Sequence, residues 1–356
     1  MSTVMSSIVT FIGTRPLRSA STRLAKRSAL ARQRKMPEIQ RQNRGPKTGR
    51  RRPKESGRMS VAKLFDRSRV VVVGGGRGLG RQYCLDLGQA GADVLVASQS
   101  DAALTVVDEI RAAGGAAHGC VSDARDGDRI AAAAREHIGG IDAMIVNAGV
   151  VRDRSFGKMG GEEWSDVMSV HVDGAFACCR AVWDDMRQQG QGSIVLTTSG
   201  AGLHGNFGQA NYAAAKGAII ALAKSLATEG KRAGIRVNAV APMALTEMTE
   251  DVFTPELKAA LDVERVSPFV LALLHRSNSA NGLVIETGGG WAAAMRWERS
   301  RGLRLDAPGV DAVLERWDEI VDFAAGSDWP KTTADSLSAA LGAETRDQPR
   351  HVRKMG

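Results

Sequence analysis

The feature that most constrains the fold is a short apolar run, followed by a glycine-rich turn and an amphipathic pattern. Valine occupies positions 70–73, and glycine occupies positions 74, 75, 76, 78 and 80. After the turn, Leu79, Tyr83, Cys84 and Leu87 recur at helical spacing. A second apolar run follows at 94–96. This order of strand, turn, helix and strand predicts the start of a doubly wound parallel sheet.

The same alternation continues along the chain. Helices are predicted at 103–113 and 126–137, and further strands at 116–120, 144–146, 193–197 and 236–240. Strands that alternate with helices give an α/β fold with a parallel sheet and helices on both faces. At 308–323 the apolar residues share one helical face, which predicts a C-terminal helix packed on the main body.

The charge is unevenly distributed. Of the 48 Lys and Arg and the 39 Asp and Glu, residues 1–60 hold 16 and 2, which leaves 32 and 37 for the rest. The composition of residues 1–58 predicts a disordered basic tail. We therefore expect three regions: the tail at 1–58, a doubly wound α/β domain at 59–300, and a helical extension at 301–356.

Three interpretations of the tail remain open. It is translated from an upstream start codon with Met59 as the natural start, or it is a mitochondrial-type transit segment, or it contacts nucleic acid. The remainder is mildly acidic, so we expect no nucleic-acid partner for the folded domain.

Composition excludes several classes of protein. No run approaches eighteen apolar residues, which argues against a membrane-spanning helix and favours a cytoplasmic location. Four cysteines without a CxxC pair, and six scattered histidines without HExxH, argue against a disulfide scaffold and a metal site. The cysteines are instead expected to be buried apolar residues.

The glycine turn fits a phosphate. The backbone there can approach a pyrophosphate closely, and the helix N-terminus offers free N–H groups and a partial positive charge. The spacing of Gly74, Gly78 and Gly80 is G-x-x-x-G-x-G rather than G-x-G-x-x-G.

A second constellation suggests acid–base chemistry. Tyr212 and Lys216 lie four residues apart and would share one helix face. An ammonium there would favour the phenolate and lower the pKa of Tyr212 from about 10, as a general acid/base requires. Ser199, thirteen residues upstream, follows a predicted strand and can donate to a developing oxyanion.

Together with Asn147-Ala148-Gly149, these motifs resemble those of the short-chain dehydrogenases/reductases. The segments at 152–156 (RDRSF), 205–212 (GNFGQANY), 288–291 (GGGW) and 296–299 (RWER) are similar to the dehydrogenase units of the peroxisomal multifunctional enzymes of type 2. Phe65-Asp66 matches the leader before the first strand of those units, and the resemblance runs from about residue 65 to about residue 327.

The resemblance implies a homodimer with a seven-stranded Rossmann sheet and oxidation of (3R)-3-hydroxyacyl-CoA to 3-oxoacyl-CoA. Oxidation of a 17β-hydroxysteroid and reduction of a 3-oxoacyl carrier protein remain alternatives. A non-enzymatic dinucleotide-binding scaffold or nucleic-acid binder is also open, although it would not need Ser199, Tyr212 and Lys216. The residues at 245–263, which should cover the substrate, carry no diagnostic charge.

Carried over by position, the resemblance implies that Tyr212 is the acid/base, that Lys216 holds the nicotinamide ribose and that Ser199 orients the substrate oxygen. Pro242 would lie near the nicotinamide. The cofactor contacts implied are Gly74, Arg77, Gly78, Leu79, Gly80, Ser98, Ser122, Asp123, Asn147, Tyr212 and Lys216.

Three positions depart from the family pattern. Val73 replaces a threonine, and Met243 replaces a glycine after Pro242. His171 stands where many members carry a fourth catalytic asparagine, and it either supports a proton-relay water or is a satisfied buried histidine.

The cofactor is NADP or NAD, with NADP favoured. An acidic residue at position 98 would repel a 2′-phosphate, but Ser98 is neutral and Arg77 can bind a phosphate. Trp291 and Trp297 are expected in packing or a dimer interface rather than stacked on substrate. His204 either lines the substrate mouth or lies at the surface.

Overall fold

A computed structural model describes residues 64–244 and 261–340. The predictions made for residues 1–58, for Met59 and for most of 245–263 fall outside these ranges.

The centre of the molecule is an eight-stranded sheet in the order β3-β2-β1-β4-β5-β6-β7-β8. Its strands are β1 (Arg69–Val73), β2 (Asp93–Ser98), β3 (Ala116–Val121), β4 (Ala143–Val146), β5 (Gly192–Thr197), β6 (Ile235–Met243), β7 (Val284–Gly288) and β8 (Trp291–Met295). The first seven are parallel, and β1 pairs with β2 on one side and with β4 on the other.

Helices cover both faces of the sheet. They are α1 (Gly78–Gln89), α2 (Ala102–Ala112), α3 (Gly127–Ile138), α4 (Gly161–Met168), α5 (Gly174–Gln189), α6 (Gly200–His204), α7 (Ala210–Gly230) and α8 (Ser267–Leu274). A π-helical turn at Ser169–Asp173 joins α4 to α5. Short 3-10 turns lie at Phe156–Lys158, Lys231–Ala233 and Val263–Arg265.

Successive side chains of β1 point to opposite faces of the sheet, so the core consists of two clusters. Val70 and Val72 pack with α1, α2 and α8, whereas Val71 and Val73 pack with α3, α5 and α7. All four valines are almost fully buried. A strand buried on both faces needs a continuous apolar run, which explains why four consecutive valines form β1.

The strand order reverses between β1 and β4, and in such sheets ligands bind outside the carboxyl ends of the strands at that point. Ser98 ends β2, and Gly74, Asn147 and Ser199 follow the carboxyl ends of β1, β4 and β5 at this edge. The topology therefore gathers residues that are far apart in the chain.

The sheet differs from the seven-stranded parallel sheet expected. Its eighth strand, β8, pairs antiparallel with β7 across a turn at Gly289 and Gly290. Both glycines have positive φ, at 61° and 82°, as a tight hairpin turn requires. The glycine run was interpreted only as a family feature, so this hairpin was missed.

The predicted helix at 308–323 is also wrong as a single packed helix. Residue Arg316, with φ −117°, separates two short helices, α9 (Val310–Glu315) and α10 (Trp317–Ile320). Val310, Leu314 and Phe323 are 76%, 66% and 55% exposed, so the apolar face is not packed on the described part of the chain. The last helix, α11, spans Thr333–Ala340.

This C-terminal part is joined to the residues after β8. A two-stranded ribbon pairs β9 (Arg299–Ser300) with β10 (Ser327–Asp328), and the Arg299 guanidinium donates to both carboxylate oxygens of Asp328, at 2.9 and 2.7 Å. Among the described residues, no helix is both long and apolar enough to cross a bilayer.

Candidate active site

The three spaced glycines of the turn have different physical reasons to lack a side chain. Gly74 has φ 80°, and a Cβ atom built there would lie 2.5 Å from the Ala148 nitrogen. A Cβ at Gly80 would overlap the Gly74 carbonyl oxygen. Gly78 has φ 51° and open space where its Cβ would stand. The turn therefore packs against the residues that follow β4 and leaves open space at Gly78.

Arg77 lies within this turn, and Ser98 lies beside it. Arg77 is the exposed N-cap residue of α1, and Ser98 is the half-buried last residue of β2. A Cβ built on Gly76, between them, would lie 2.9 Å from Ser98 Oγ. Leu79 is buried and anchors α1 in the core. A side chain at position 76 would therefore crowd the Ser98 hydroxyl.

Ser122 and Asp123 follow β3 next to β2. The Ser122 N–H donates to the Ser98 carbonyl at 2.8 Å, which ties the two strand ends together. The Asp123 carboxylate accepts from the Arg125 guanidinium at 2.9 and 2.7 Å, and this guanidinium lowers the pKa of Asp123. Sequence reasoning did not anticipate that Arg125 would engage the carboxylate.

Asn147 links three strand ends. Its amide nitrogen lies 3.5 Å from the Gly74 carbonyl oxygen, and its Oδ1 accepts from Thr197 Oγ1 at 3.3 Å. Through Asn147, the glycine turn after β1 is coupled to the end of β5.

The structure brings Ser199, Tyr212 and Lys216 together. Ser199 is the N-cap of α6, where its Oγ accepts from the Ala201 N–H at 3.2 Å, and its side chain lies near enough to the Tyr212 hydroxyl to lower the pKa of that group. Tyr212 lies in the first turn of α7, and the Lys216 ammonium lies 5.5 Å from the centroid of its ring. Lys216 is buried and donates to the Thr197 carbonyl at 2.7 Å.

The electrostatics of Tyr212 differ from the prediction. Its pKa is raised, because burial outweighs the Ser199 hydrogen bond, and the charge of Asp153 raises it further. The expected lowering by Lys216 is wrong for this state of the site, since Nζ contacts the Thr197 carbonyl and the ring face. Burial also lowers the pKa of Lys216 to about 7, so its positive charge is only partly present at neutral pH.

His171 is buried in the π-helical turn beneath the loop that follows β4. Its Nε2 lies 2.8 Å from the Val150 carbonyl oxygen, and its ring meets the Tyr212 ring edge-on at 5.3 Å. A Cβ at Gly149 would overlap the imidazole. Nδ1 is buried and has no hydrogen-bond partner among the described residues. Only one of the two ring nitrogens of His171 is therefore hydrogen-bonded. The residue is buried, but it is not the fully satisfied histidine of the second interpretation.

We expect His171 to make the fold sensitive to acid. Burial, and then the charge of Lys216, lower its pKa to about 3, whereas an unfolded histidine titrates near 6.5. Between these values the unfolded chain binds the extra proton, so the free energy of unfolding should fall with decreasing pH, by at most about 1.4 kcal/mol per pH unit. Denaturant unfolding between pH 7 and 4.5 measures this slope.

His171→Asn should reduce that slope, and the matched variant His137→Asn, at an exposed histidine of α3, should leave it unchanged. An unaltered slope in His171→Asn would show that other groups cause the acid sensitivity.

Sequence reasoning missed the contacts that hold the loop after β4. The Asn211 amide donates to the carbonyls of Arg152 and Glu163, both at 3.0 Å, and the Gln209 amide donates to the Asp153 carboxylate at 3.0 Å. The Arg154 N–H donates to the Gly208 carbonyl at 2.8 Å. The RDRSF and GNFGQANY segments carry complementary polar residues. This complementarity is the signal from which a contact between the two segments could have been predicted.

The other residues singled out in the sequence lie around this centre. Pro242 and Met243 end β6. All four cysteines are buried, as predicted, and burial raises the pKa of each thiol. Trp291 and Trp297 are about half exposed in the single chain, and the exposed His204 lies 3.7 Å from Glu286.

Residues 68–257 match the short chain dehydrogenase family, which is more than half of the chain. The chain belongs to this family. As a short-chain dehydrogenase it is an oxidoreductase that acts on CH–OH groups.

Relatives of this short-chain dehydrogenase include larger proteins. It is 43% identical over 276 residues to the peroxisomal hydratase-dehydrogenase-epimerase of Neurospora crassa, covering 73% of this chain and 31% of that one. It is 41% identical over 291 residues to the peroxisomal multifunctional enzyme type 2 of Mus musculus, covering 78% and 40%. The chain thus spans less than two thirds of the length of these relatives, whose names place them in peroxisomes.

Among solved structures, the full-length peroxisomal multifunctional enzyme type 2 of Drosophila melanogaster superposes with a TM-score of 0.68 at 35% identity, over 78% of this chain and 49% of that one. A 7α-hydroxysteroid dehydrogenase in complex with NADH and a 7-oxo bile acid superposes with a TM-score of 0.60 at 27% identity, over 65% of this chain and 97% of that one.

Proposed function

We propose that this short-chain dehydrogenase interconverts (3R)-3-hydroxyacyl-CoA and 3-oxoacyl-CoA with a nicotinamide dinucleotide. The observation that carries the proposal is the placement of the Ser199 side chain beside Tyr212, with the Lys216 ammonium over the tyrosine ring. The names of the relatives with 41–43% identity support the substrate class.

The residues present fit a dinucleotide. Gly78 has open space above it at the N-terminus of α1, where free N–H groups and the helix dipole favour a pyrophosphate. Gly74, Leu79 and Gly80 would shape this turn, and Asn147 would lie against the nicotinamide half. When bound, the nicotinamide supplies hydride transfer. A structural neighbour of the chain carries NADH.

In the proposed mechanism, the substrate oxygen lies between the hydroxyls of Ser199 and Tyr212. Ser199 donates a hydrogen bond to the oxygen, which stabilises the negative charge that develops there. Tyr212 exchanges a proton with this oxygen, and its raised pKa keeps the proton available for reduction of a ketone. In the oxidation direction, Tyr212 accepts the proton of the substrate hydroxyl, and Lys216 would hold the cofactor ribose.

We propose NADP as the preferred cofactor. Ser98 brings no negative charge to the end of β2, and the exposed Arg77 is available to a 2′-phosphate. Ser122 would contact the adenosine half, and Asp123 would do so only alongside Arg125, its ion-pair partner.

Three further expectations stay proposals. They are a homodimer, the domain limits at residues 58 and 300, and a cytoplasmic location. The names of the relatives instead indicate peroxisomes for those proteins. A 17β-hydroxysteroid remains the second candidate substrate, because a solved steroid dehydrogenase shares the fold.

A substrate panel tests the proposed function. We expect turnover with 3-hydroxyacyl-CoAs of several chain lengths, followed by NAD(P)H absorbance with each cofactor, and little turnover with 17β-hydroxysteroids. Faster oxidation of the steroids would replace the acyl-CoA assignment. No turnover with any member of the panel would favour the scaffold interpretation.

A further inference from the structure

A cavity lies between α6, α7, β7 and β8. It has a volume of about 140 Å³, and its apolar lining consists of Leu203, Ile220, Val284 and Met295. The rest of the lining is polar or aromatic and includes His204, Lys224, Arg296 and Trp297. We call this space the Trp297 cavity.

Two cations at this cavity are held by aromatic rings instead of by carboxylates. The Lys224 ammonium lies 5.7 Å from the centroid of the Trp297 ring, and the Arg296 guanidinium lies 3.7 Å from that of Trp329. Among the described residues, neither cation has an ion pair with an acidic side chain. A ring face orients a cation without neutralising it, so both can still bind an anion.

One acidic side chain, Glu286, lies beside the cavity and faces the cavity-lining His204, without an ion pair to Lys224 or Arg296. The Glu286 carboxylate projects from β7 toward α6 and lies 3.7 Å from His204 Nε2. Burial lowers the pKa of Lys224, which shows that its ammonium is partly withdrawn from water. An anion at the Lys224 and Arg296 side would compensate for this loss of hydration.

The size and lining of the cavity restrict the ligand. An apolar cavity of about 150 Å³ can hold a six-carbon ring such as benzene. A ligand that fills the Trp297 cavity should therefore combine an aliphatic part of about this size with one anionic group. A bare inorganic anion would leave the apolar lining unfilled.

We propose that the Trp297 cavity binds a short aliphatic carboxylate. Its carboxylate contacts Lys224 and Arg296, and its chain packs on Leu203, Ile220 and Val284. The cationic end of the cavity lies away from the catalytic centre, because Lys224 lies eight residues beyond Lys216, which is about 12 Å along the axis of α7. The proposal does not depend on the substrate assigned to the catalytic site.

Isothermal titration of the full chain with hexanoate, and with 1-hexanol as a neutral analogue, tests this proposal. We expect one hexanoate per chain and an affinity for 1-hexanol at least ~10-fold weaker, because the alcohol lacks the charge-assisted bonds. Lys224→Met, which keeps the length of the side chain, should weaken hexanoate binding by at least ~10-fold. Lys231→Met, at an exposed lysine just beyond α7, is the matched control and should bind hexanoate normally.

Equal affinity for hexanoate and 1-hexanol would overturn the proposal, since it would reflect apolar contact alone. Unchanged hexanoate binding in Lys224→Met would also overturn it, because the acid would then bind elsewhere, including the catalytic site. If Lys224→Met lowers the melting temperature, the exposed Arg296→Gln provides the second test, and it should likewise weaken hexanoate but not 1-hexanol.

Discussion

Replacing Tyr212 with phenylalanine is expected to lower kcat at least ~100-fold, within the usual contribution of a general acid/base. Phenylalanine removes the proton that Tyr212 exchanges but retains the ring that packs against His171 and lies near Lys216. The dissociation constant of the cofactor should therefore stay close to that of the wild type. Steady-state turnover and cofactor titration by fluorescence measure the two quantities.

The other tyrosine of the chain is the matched control. Tyr83 is fully buried in α1, and its hydroxyl has no hydrogen-bond partner among the described residues. Tyr83→Phe removes an unsatisfied polar group, so stability should be unchanged or increased and turnover unchanged. Comparable turnover of Tyr212→Phe and Tyr83→Phe would remove Tyr212 from the mechanism.

Replacing Ser98 with aspartate is expected to shift the cofactor preference toward NAD and away from the NADP that we propose. The carboxylate would repel a 2′-phosphate and accept hydrogen bonds from a 2′-hydroxyl. Replacing Arg77 with alanine should weaken NADPH by roughly 10- to 100-fold, the value of one charge-assisted contact, and should affect NADH far less. The ratio of kcat/KM for the two cofactors measures both effects.

Arg81 is the control for Arg77. It lies one turn further along α1, where its guanidinium is paired with Glu109 at 2.5 Å, and Arg81→Ala should not change the cofactor ratio. A wild type that strongly prefers NADH, with Arg77→Ala affecting both cofactors equally, would mean that Arg77 faces solvent and that the enzyme uses NAD.

The parallel sheet could be predicted from the sequence because its signals are local. Four consecutive valines with a glycine turn specify β1 and its approach to β4, and each later strand is a short apolar run between helical patterns. The grouping of Ser199, Tyr212 and Lys216 was likewise predictable, because one lies at a strand end and the other two share a helix face.

What could not be predicted depends on three-dimensional environment. The raised pKa of Tyr212 results from burial and from the charge of Asp153, which is distant in sequence. The exposed apolar face of α9 and α10 could not be foreseen, because helical periodicity does not reveal whether another surface lies against it. No sequence motif predicts the ion pair between Arg125 and Asp123.

Oxidation of (3R)-3-hydroxyacyl-CoA, as proposed, should be stereospecific, so an assay of the two stereoisomers tests the proposed function directly. Purified enzyme is given the (3R) or the (3S) form of one 3-hydroxyacyl-CoA with saturating NADP or NAD, and formation of the reduced cofactor is followed, with Tyr212→Phe as the blank. We expect rapid oxidation of the (3R) form, little oxidation of the (3S) form, and almost none of either form in the blank. Preference for the (3S) form, or equal rates in wild type and blank, would contradict it.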